Sequence, residues 1–283
     1  MDHYCILGNP VEHSKSPMIQ ARFAELTGQL LRYTRQWVAL DGFADMLASL
    51  RADGVRGCNV TVPFKFEAYQ AALHKTERAQ LAQAANTLRF DDDGIHADNT
   101  DGVGLVNDIE RNVGIRLAGL DVLLVGAGGA AAGVLGPLLA SGARRLVVVN
   151  RSPDKATALV ERHLEHPWVQ GMLSKTELVA QSIHAPEGVF DVIINATASS
   201  LTGAAIPVPS SVLKPGALAY DMMYGPAAEP FAQWATSHGA IARDGLGMLV
   251  EQAAAAFAMW HGVHPPSGQV LREMRATMSS AAA

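Results

Sequence analysis

The chain has 283 residues, enough for one large or two modest domains. Lys and Arg number 22 against 27 Asp and Glu, a net charge of −5, so there is no basic excess to neutralise a phosphate backbone and nucleic acid is not an expected partner. Charged residues make up 17% and hydrophobic residues 49%, with 26 glycines, which excludes a disordered chain.

In chain order, Tyr4 to Leu7 reads as a short buried strand, followed by Gly8-Asn9-Pro10. Ser16-Pro17 then places a cap residue and a proline at a helix start, and that helix is expected to stop at Gly28. Tyr33 to Val38 predicts a second strand, Phe43 to Leu50 a helix, and Gly57 to Val62 a third strand ended by Pro63. Thr87 to Phe90 and Ile95 to Ala97 flank Asp91-Asp92-Asp93-Gly94, a hairpin by its Asp-Gly turn. Repeated βα units in this first part predict a parallel sheet covered by helices. A helix from about Gly102 to Val113 leads into a second series of strands: Val122 to Val125, Leu146 to Asn150, Val189 to Asn195, Ala217 to Asp221 and Ala240 to Ala242. Helices from Met248 to Trp260 and after Pro266 close the chain. Short apolar strands alternating with helices describe a doubly wound sheet. The expected fold is therefore two α/β domains with a cleft between them, the second a doubly wound Rossmann-type parallel sheet. The expected division is 1–101 plus 246–283 for one domain and 102–245 for the other.

Val122 to Ala143 carries no charge for 22 positions, long enough to span a bilayer as a helix. Its six glycines, Pro137 and β-branched opening fit a strand, a tight turn and an Ala-rich helix better. The polar amino terminus shows no signal peptide, so a soluble, cytoplasmic protein is expected, with no membrane partner. Cys5 and Cys58 each lie in an apolar run, read as buried free thiols rather than a disulfide scaffold.

Gly126-Ala127-Gly128-Gly129-Ala130-Ala131 follows a strand and opens a helix. In such a GxGxxA turn the first Gly bends the chain, the second admits a pyrophosphate, and the small third residue packs helix on strand. At the end of the next strand, where an NAD site carries an acid for the ribose 2′-hydroxyl, stand Asn150-Arg151-Ser152 with Lys155 a turn later. Cationic and neutral donors suit the 2′-phosphate of NADP. Asp154 is the nearest acid and suits the first turn of a helix.

The first domain contributes His13-Ser14-Lys15-Ser16-Pro17, whose hydroxyls and free N–H groups suit a carboxylate. In Gly57-Cys58-Asn59-Val60-Thr61-Val62-Pro63-Phe64-Lys65, Asn59 and Thr61 share one side of a strand, with Lys65 just beyond its carboxyl end. Taken singly, Lys65 is an ordinary surface lysine and Asp101 of Asp98-Asn99-Thr100-Asp101-Gly102 a helix N-cap. His261-x-x-His264 has metal-like spacing but no evident third ligand, so no metal is expected.

Together and in this order, these segments resemble the shikimate dehydrogenase family. The resemblance runs through Gly8-Asn9-Pro10, Ser14 to Pro17, Asn59 to Lys65, Asn86-Thr87 and Asn99 to Gly102. It continues with the Gly turn, Asn150 to Ser152, Ile194-Asn195-Ala196-Thr197, Tyr220 to Tyr224 and Asp244 to Gln252. It implies NADP-dependent, reversible reduction of 3-dehydroshikimate to shikimate in aromatic amino-acid biosynthesis. It assigns Ser14 and Ser16 to the substrate carboxylate. Asn59, Thr61, Asn86, Asp101, Tyr224 and Gln252 go around the ring hydroxyls, and Lys65 to the reacting oxygen. The cofactor would be lined by Gly126, Ala127, Gly128, Gly129, Ala130, Asn150, Arg151, Ser152, Lys155, Thr197, Met222 and Gly245, with Glu77 nearby. Two positions depart from the family pattern: Ala132, where Arg is common, and Ala198-Ser199-Ser200, where Ser-x-Gly is frequent.

Lys65 and Asp101 are the expected catalytic pair, with protonated Lys65 donating to the carbonyl oxygen and Asp101 orienting it. A carboxylate beside an amine favours the ammonium, which suits a proton donor. The rival readings are a quinate/shikimate dehydrogenase using NAD or NADP, disfavoured by Ser152 where NAD-using relatives carry Asp, and a non-catalytic dinucleotide sensor. Either a monomer or a homodimer is compatible with the sequence.

Overall fold

The computed structural model describes residues 1–173, 175–197 and 208–282. They form two compact units, one of Met1–Gly104 with Val250–Ala283 and one of Leu105–Leu249.

The first unit begins β1 (Asp2–Gly8), α1 (Ser16–Thr27), β2 (Leu31–Trp37), α2 (Phe43–Ala52), β3 (Gly57–Val60), α3 (Lys65–Ala71), β4 (His74–Lys75), α4 (Glu77–Ala82), β5 (Thr87–Asp91) and β6 (Gly94–Asp98). Helix α1 ends at Gly28, whose φ of 69° is left-handed and lets Gln29 N–H bond the Ala24 carbonyl. Its N-cap is Lys15 and not a serine; the Ser14 hydroxyl instead takes the Ser16 N–H at 3.2 Å. The hairpin turn consists of Asp92 and Asp93, and Gly94 opens β6 at φ 136°.

The sheet order is β2-β1-β3-β5-β6-β4. It is mixed and not parallel as expected, because the tight hairpin makes β5 antiparallel to both β3 and β6. Strand β3 stops at Val60, two residues early, so Thr61 lies in the turn before α3. Cys5 and Cys58 sit in register on β1 and β3, both thiols free and fully buried. The core against this sheet is built from Leu7, Phe43, Leu47, Phe64 and Leu88 among others.

Helix α5 (Asp101–Asn107) passes into the second unit and widens to a π-helical stretch over Asp108–Val113, where a single α-helix is expected. The buried Asp108 at its start accepts from Tyr220 Oη at 2.7 Å and from Asn112 Nδ2 at 2.9 Å. The elements that follow are β7 (Asp121–Val125), α6 (Gly129–Ala140), β8 (Arg145–Asn150), α7 (Pro153–Glu165), α8 (Pro167–Gln170), β9 (Glu177–Ser182), β10 (Phe190–Asn195), β11 (Leu213–Asp221), α9 (Glu229–Ser237) and β12 (Ile241–Arg243). All the pairings in this sheet are parallel, in the order β12-β11-β10-β7-β8-β9. The order reverses at β7, the switch point where open α/β sheets bind ligands. Strand β7 is buried on every residue, as a strand covered on both faces must be. Helices α10 (Leu246–His261) and α11 (Ser267–Ala282) end the chain.

The charge-free stretch thus divides into β7, a turn and the 12-residue α6. Among the described residues, no helix is long and apolar enough to cross a membrane.

Candidate active site and dinucleotide turn

In the first unit the predicted polar residues form one continuous hydrogen-bonded chain. Lys65, the first residue of α3, donates from Nζ to Asp101 Oδ2 at 2.6 Å. Asp101 Oδ1 accepts from Asn86 Nδ2 at 2.7 Å, and Asn86 also donates toward Thr100 Oγ1 at 3.0 Å and Gln252 Oε1 at 3.3 Å. The Asn86 side-chain oxygen accepts from the Thr100 N–H at 2.9 Å and the Thr87 hydroxyl at 3.0 Å. Asn59 gives its amide protons to Thr87 Oγ1 and the Asn86 backbone carbonyl, and its oxygen accepts from Tyr33 Oη at 2.7 Å. Tyr33 is also hydrogen-bonded to Ser16, and burial pushes its phenol well above the ordinary tyrosine range. The chain therefore runs from Ser16 through Tyr33, Asn59, Thr87, Asn86 and Asp101 to Lys65.

Most of these groups are buried: Ser16, Asn59, Asn86, Thr87, Thr100 and Asp101 are all under a tenth exposed. A polar group withdrawn from water costs free energy unless it is partnered, and here each supplies the next one's partner. Lys65 keeps 29% of its side chain accessible against 11% for Asp101, so the charged end of the chain faces solvent. The loop between β6 and α5 is built to aim Asp101. Asp98 accepts from the Thr76 hydroxyl at 2.7 Å and from Arg78, and Asn99 Oδ1 accepts the Asp101 N–H at 3.2 Å. Ser14 and Thr61 are half-buried, and Arg35 fixes the Ser14 carbonyl at 2.7 Å. Glu77, expected near the cofactor, belongs to this unit and is exposed in the first turn of α4.

In the second unit Gly126 bends the chain after β7 at φ 117°, and a side chain there would meet the Ala196 carbonyl oxygen at 3.1 Å. Side chains built at Gly128 and Gly129 would meet nothing within 4 Å, and Gly128, Gly129 and Ala130 are exposed at the start of α6. The first N–H groups of a helix lack intrahelical acceptors, so this turn presents donors to open space. Ala132 is buried and carries no charge toward that turn. Arg151, Ser152 and Lys155 are exposed after β8, and among the described residues neither Arg151 nor Lys155 has an ion-pair partner. Asn150 Nδ2 holds the Ser152 carbonyl at 3.0 Å, which shapes this strand end.

The ends of β10 and β11 are tied together. Thr197 donates its hydroxyl to Asn195 Oδ1 at 2.7 Å, Asn195 donates to Asp221 Oδ2 at 3.2 Å, and Asp221 Oδ1 accepts the Met223 N–H at 2.9 Å. Gly245 donates its N–H to the Met223 carbonyl at 2.8 Å, and a Cβ at Gly245 would overlap the Met222 carbonyl. Tyr224 is half-buried in this unit, with its phenol pushed up by burial. Ala198 to Ser200, the second departure from the family pattern, fall outside the described residues.

Sequence reasoning does not single out Tyr33, Thr87, Asn195 or Asp221 for a role. Tyr33 reads as an aromatic strand residue. A buried amide such as Asn59 requires partners, but nothing in the sequence says that the Tyr33 hydroxyl is one of them.

A lysine–carboxylate pair in one α/β unit and a glycine turn at the switch point of a doubly wound sheet in the other define a class, the dinucleotide-dependent dehydrogenases. Residues 6–88 match the family model for the shikimate dehydrogenase substrate binding domain, residues 108–203 that for shikimate/quinate 5-dehydrogenase, and residues 245–275 that for the shikimate 5′-dehydrogenase C-terminal domain. The shikimate dehydrogenase (NADP(+)) of Acidovorax sp. (strain JS42) is 64% identical over 99% of this chain and 98% of its own length. Among solved structures, an Ael1 enzyme from Pseudomonas putida is 41% identical, with a TM-score of 0.86 over 96% of this chain and 98% of the other. The shikimate 5-dehydrogenase from Thermus thermophilus, in complex with NADP(H) and shikimate, is 28% identical, with a TM-score of 0.82 over 96% and 99%. The chain belongs to the shikimate dehydrogenase family.

Proposed function

We propose that this protein catalyses the reversible, NADPH-dependent reduction of 3-dehydroshikimate to shikimate, a step toward chorismate and the aromatic amino acids. The observation that carries the chemistry is the Lys65–Asp101 pair at 2.6 Å, aimed by Asn86. The substrate unit is the one formed by Met1–Gly104 and Val250–Ala283, and the dinucleotide unit is Leu105–Leu249.

The residues fit NADP on two counts: the open space over Gly128 and Gly129 accepts a pyrophosphate, and Arg151 with Lys155 meets a 2′-phosphate where no acid stands at the strand end. Thr197, Met222 and Gly245 would line the nicotinamide side. Reduced NADP, when bound, supplies a hydride to the carbonyl carbon. The carbonyl oxygen then requires one proton, and the Lys65 ammonium donates it. Asp101 accepts from Lys65 and holds that ammonium in place without taking the proton itself. Ser14 and Ser16 take the substrate carboxylate, and Thr61, Tyr224 and Gln252 take ring hydroxyls. Asn59, Asn86 and Asp101 belong to the same set around the ring hydroxyls.

Two buried free thiols suit a reducing compartment, and the cytoplasm is the proposed setting, with the protein a monomer or homodimer. The test follows nicotinamide absorbance with shikimate or quinate, each with NADP or NAD. Turnover with shikimate and NADP is expected. Preference for quinate with NAD would move the protein to the quinate-using branch, and silence in all four combinations would mark a dinucleotide sensor.

A further inference from the structure

Away from the lysine–carboxylate pair, the outer edge of the first sheet gathers three metal-binding side chains that the reaction does not use. His74 on β4 and His96 on β6 stand directly opposite each other in parallel register. Their rings stack with centroids 4.3 Å apart. Asp93, in the hairpin turn, reaches both: its carboxylate oxygens lie 3.4 Å from His74 Nε2 and 2.9 Å from His96 Nε2. One donor atom from each residue falls within a common 4.8 Å, the only such group of three among the described residues.

We propose that His74, Asp93 and His96 form a binding site for a divalent transition-metal ion of the zinc type. Donors around a tetrahedral zinc ion lie roughly 3.3 Å apart, given metal–ligand distances of ~2.0–2.1 Å. The two histidine–carboxylate separations, 3.4 and 2.9 Å, bracket that value, and one donor atom of each residue lies within 4.8 Å of the others. Two imidazoles and one carboxylate select zinc, nickel or copper over magnesium or calcium, which prefer all-oxygen shells. The site is reachable, since His74 and Asp93 are exposed and His96 half-buried. The other charged neighbours are Asp91, 3.4 Å from His96 Nε2, and Arg89, which holds Asp91 at 2.7 Å. The protein supplies three ligands, leaving the fourth position to water. The ion would bind β4, a two-residue edge strand, to β6.

The experiment is calorimetric titration of the untagged full chain with zinc chloride at pH 7.5, repeated at pH 5. A saturable one-to-one isotherm is expected at pH 7.5, weakened about tenfold or more by His74→Gln and by His96→Gln separately, and unaffected by the exposed control His264→Gln. At pH 5 the isotherm should weaken, because protons compete with a metal ion for nitrogen ligands in general. Shikimate oxidation by both variants should stay at the parental rate, which separates this site from the catalytic reading. Absence of a saturable isotherm in the parent, binding that survives either substitution, or binding undiminished at pH 5 would overturn the proposal.

Discussion

In the proposed reaction Lys65 delivers the one proton the protein must supply, so its removal should be felt in turnover more than in binding. Lys65→Met is expected to lower kcat by roughly 10²–10⁴-fold, the usual span for a general acid, with a far smaller change in KM. Steady-state kinetics check this, and a kcat close to parental would remove Lys65 from the mechanism. Asp101→Asn should retain measurable turnover, because an amide oxygen still accepts from the lysine; complete loss would argue that Asp101 moves the proton itself. At the cofactor end, Arg151→Ala should raise KM for NADP about 10–100-fold, from the loss of ~1.5–3 kcal/mol of charge-assisted hydrogen bonding, and leave KM for NAD nearly unchanged. Taken singly, Lys65 and Asp101 look ordinary in the sequence and are singled out only by the run of family motifs around them, whereas Arg151 stands out because a strand end without an acid suits a phosphate. Tyr33 does not stand out, since a tyrosine on a strand looks like core until its hydroxyl is found on Asn59.

At the scale of elements, apolar strands and helices with clear punctuation are read correctly, and polar or very short ones are missed. Helix α1 begins at Ser16-Pro17 and stops at Gly28 as expected, although its N-cap is Lys15 and not the serine. Strand β9, with the sequence Glu-Leu-Val-Ala-Gln-Ser, sits at a sheet edge, where partial exposure removes the hydrophobic run that would reveal it. The two-residue β4 has no periodicity to read. The π-helical stretch is likewise invisible, because its opening residue Asp108 is held by Tyr220, 112 positions away. The turn between β12 and α10 carries its own prediction. Gly245→Ala would drive a methyl group into the Met222 carbonyl, and the backbone must move to admit it. A loss of about 1–3 kcal/mol is expected, read as a lower urea midpoint with an unchanged slope. Weaker NADP binding should accompany it, since Met222 lines the proposed site.

The stability of the whole molecule should depend on pH through His163. This side chain is fully buried in α7, donates from Nδ1 to the Leu159 carbonyl at 2.8 Å, and has no partner for Nε2 among the described residues. Burial holds its imidazole down at about 4 against an ordinary 6.5, so it is neutral in the folded chain. On acidification through 6.5 the unfolded chain takes up a proton that the folded chain refuses until about pH 4. Stability is therefore fully present above pH 6.5 and falls by roughly 3 kcal/mol toward pH 4. Urea unfolding across this range should show the decline in the parent and a flatter profile in His163→Leu; identical profiles would exclude His163 as the source. Two α/β units are foreseeable from the alternation of strands and helices. The hairpin of β5 and β6 is legible from its Asp-Gly turn, but not that β5 pairs antiparallel with β3 as well, which makes the first sheet mixed where the repeated βα signals suggest a parallel one.

The hydrogen-bonded chain from Ser16 to Lys65 also bears on how such a pocket evolves. Each member completes its neighbour's valence, so altering one amide strands a donor or acceptor on either side. Selection for a different polyol or keto acid would then favour linked exchanges, such as Tyr33 together with Asn59 and Thr87, over stepwise drift. Substrate preference would thus be inherited as a block, and new specificity would arise more readily at half-buried positions outside that chain, such as Thr61.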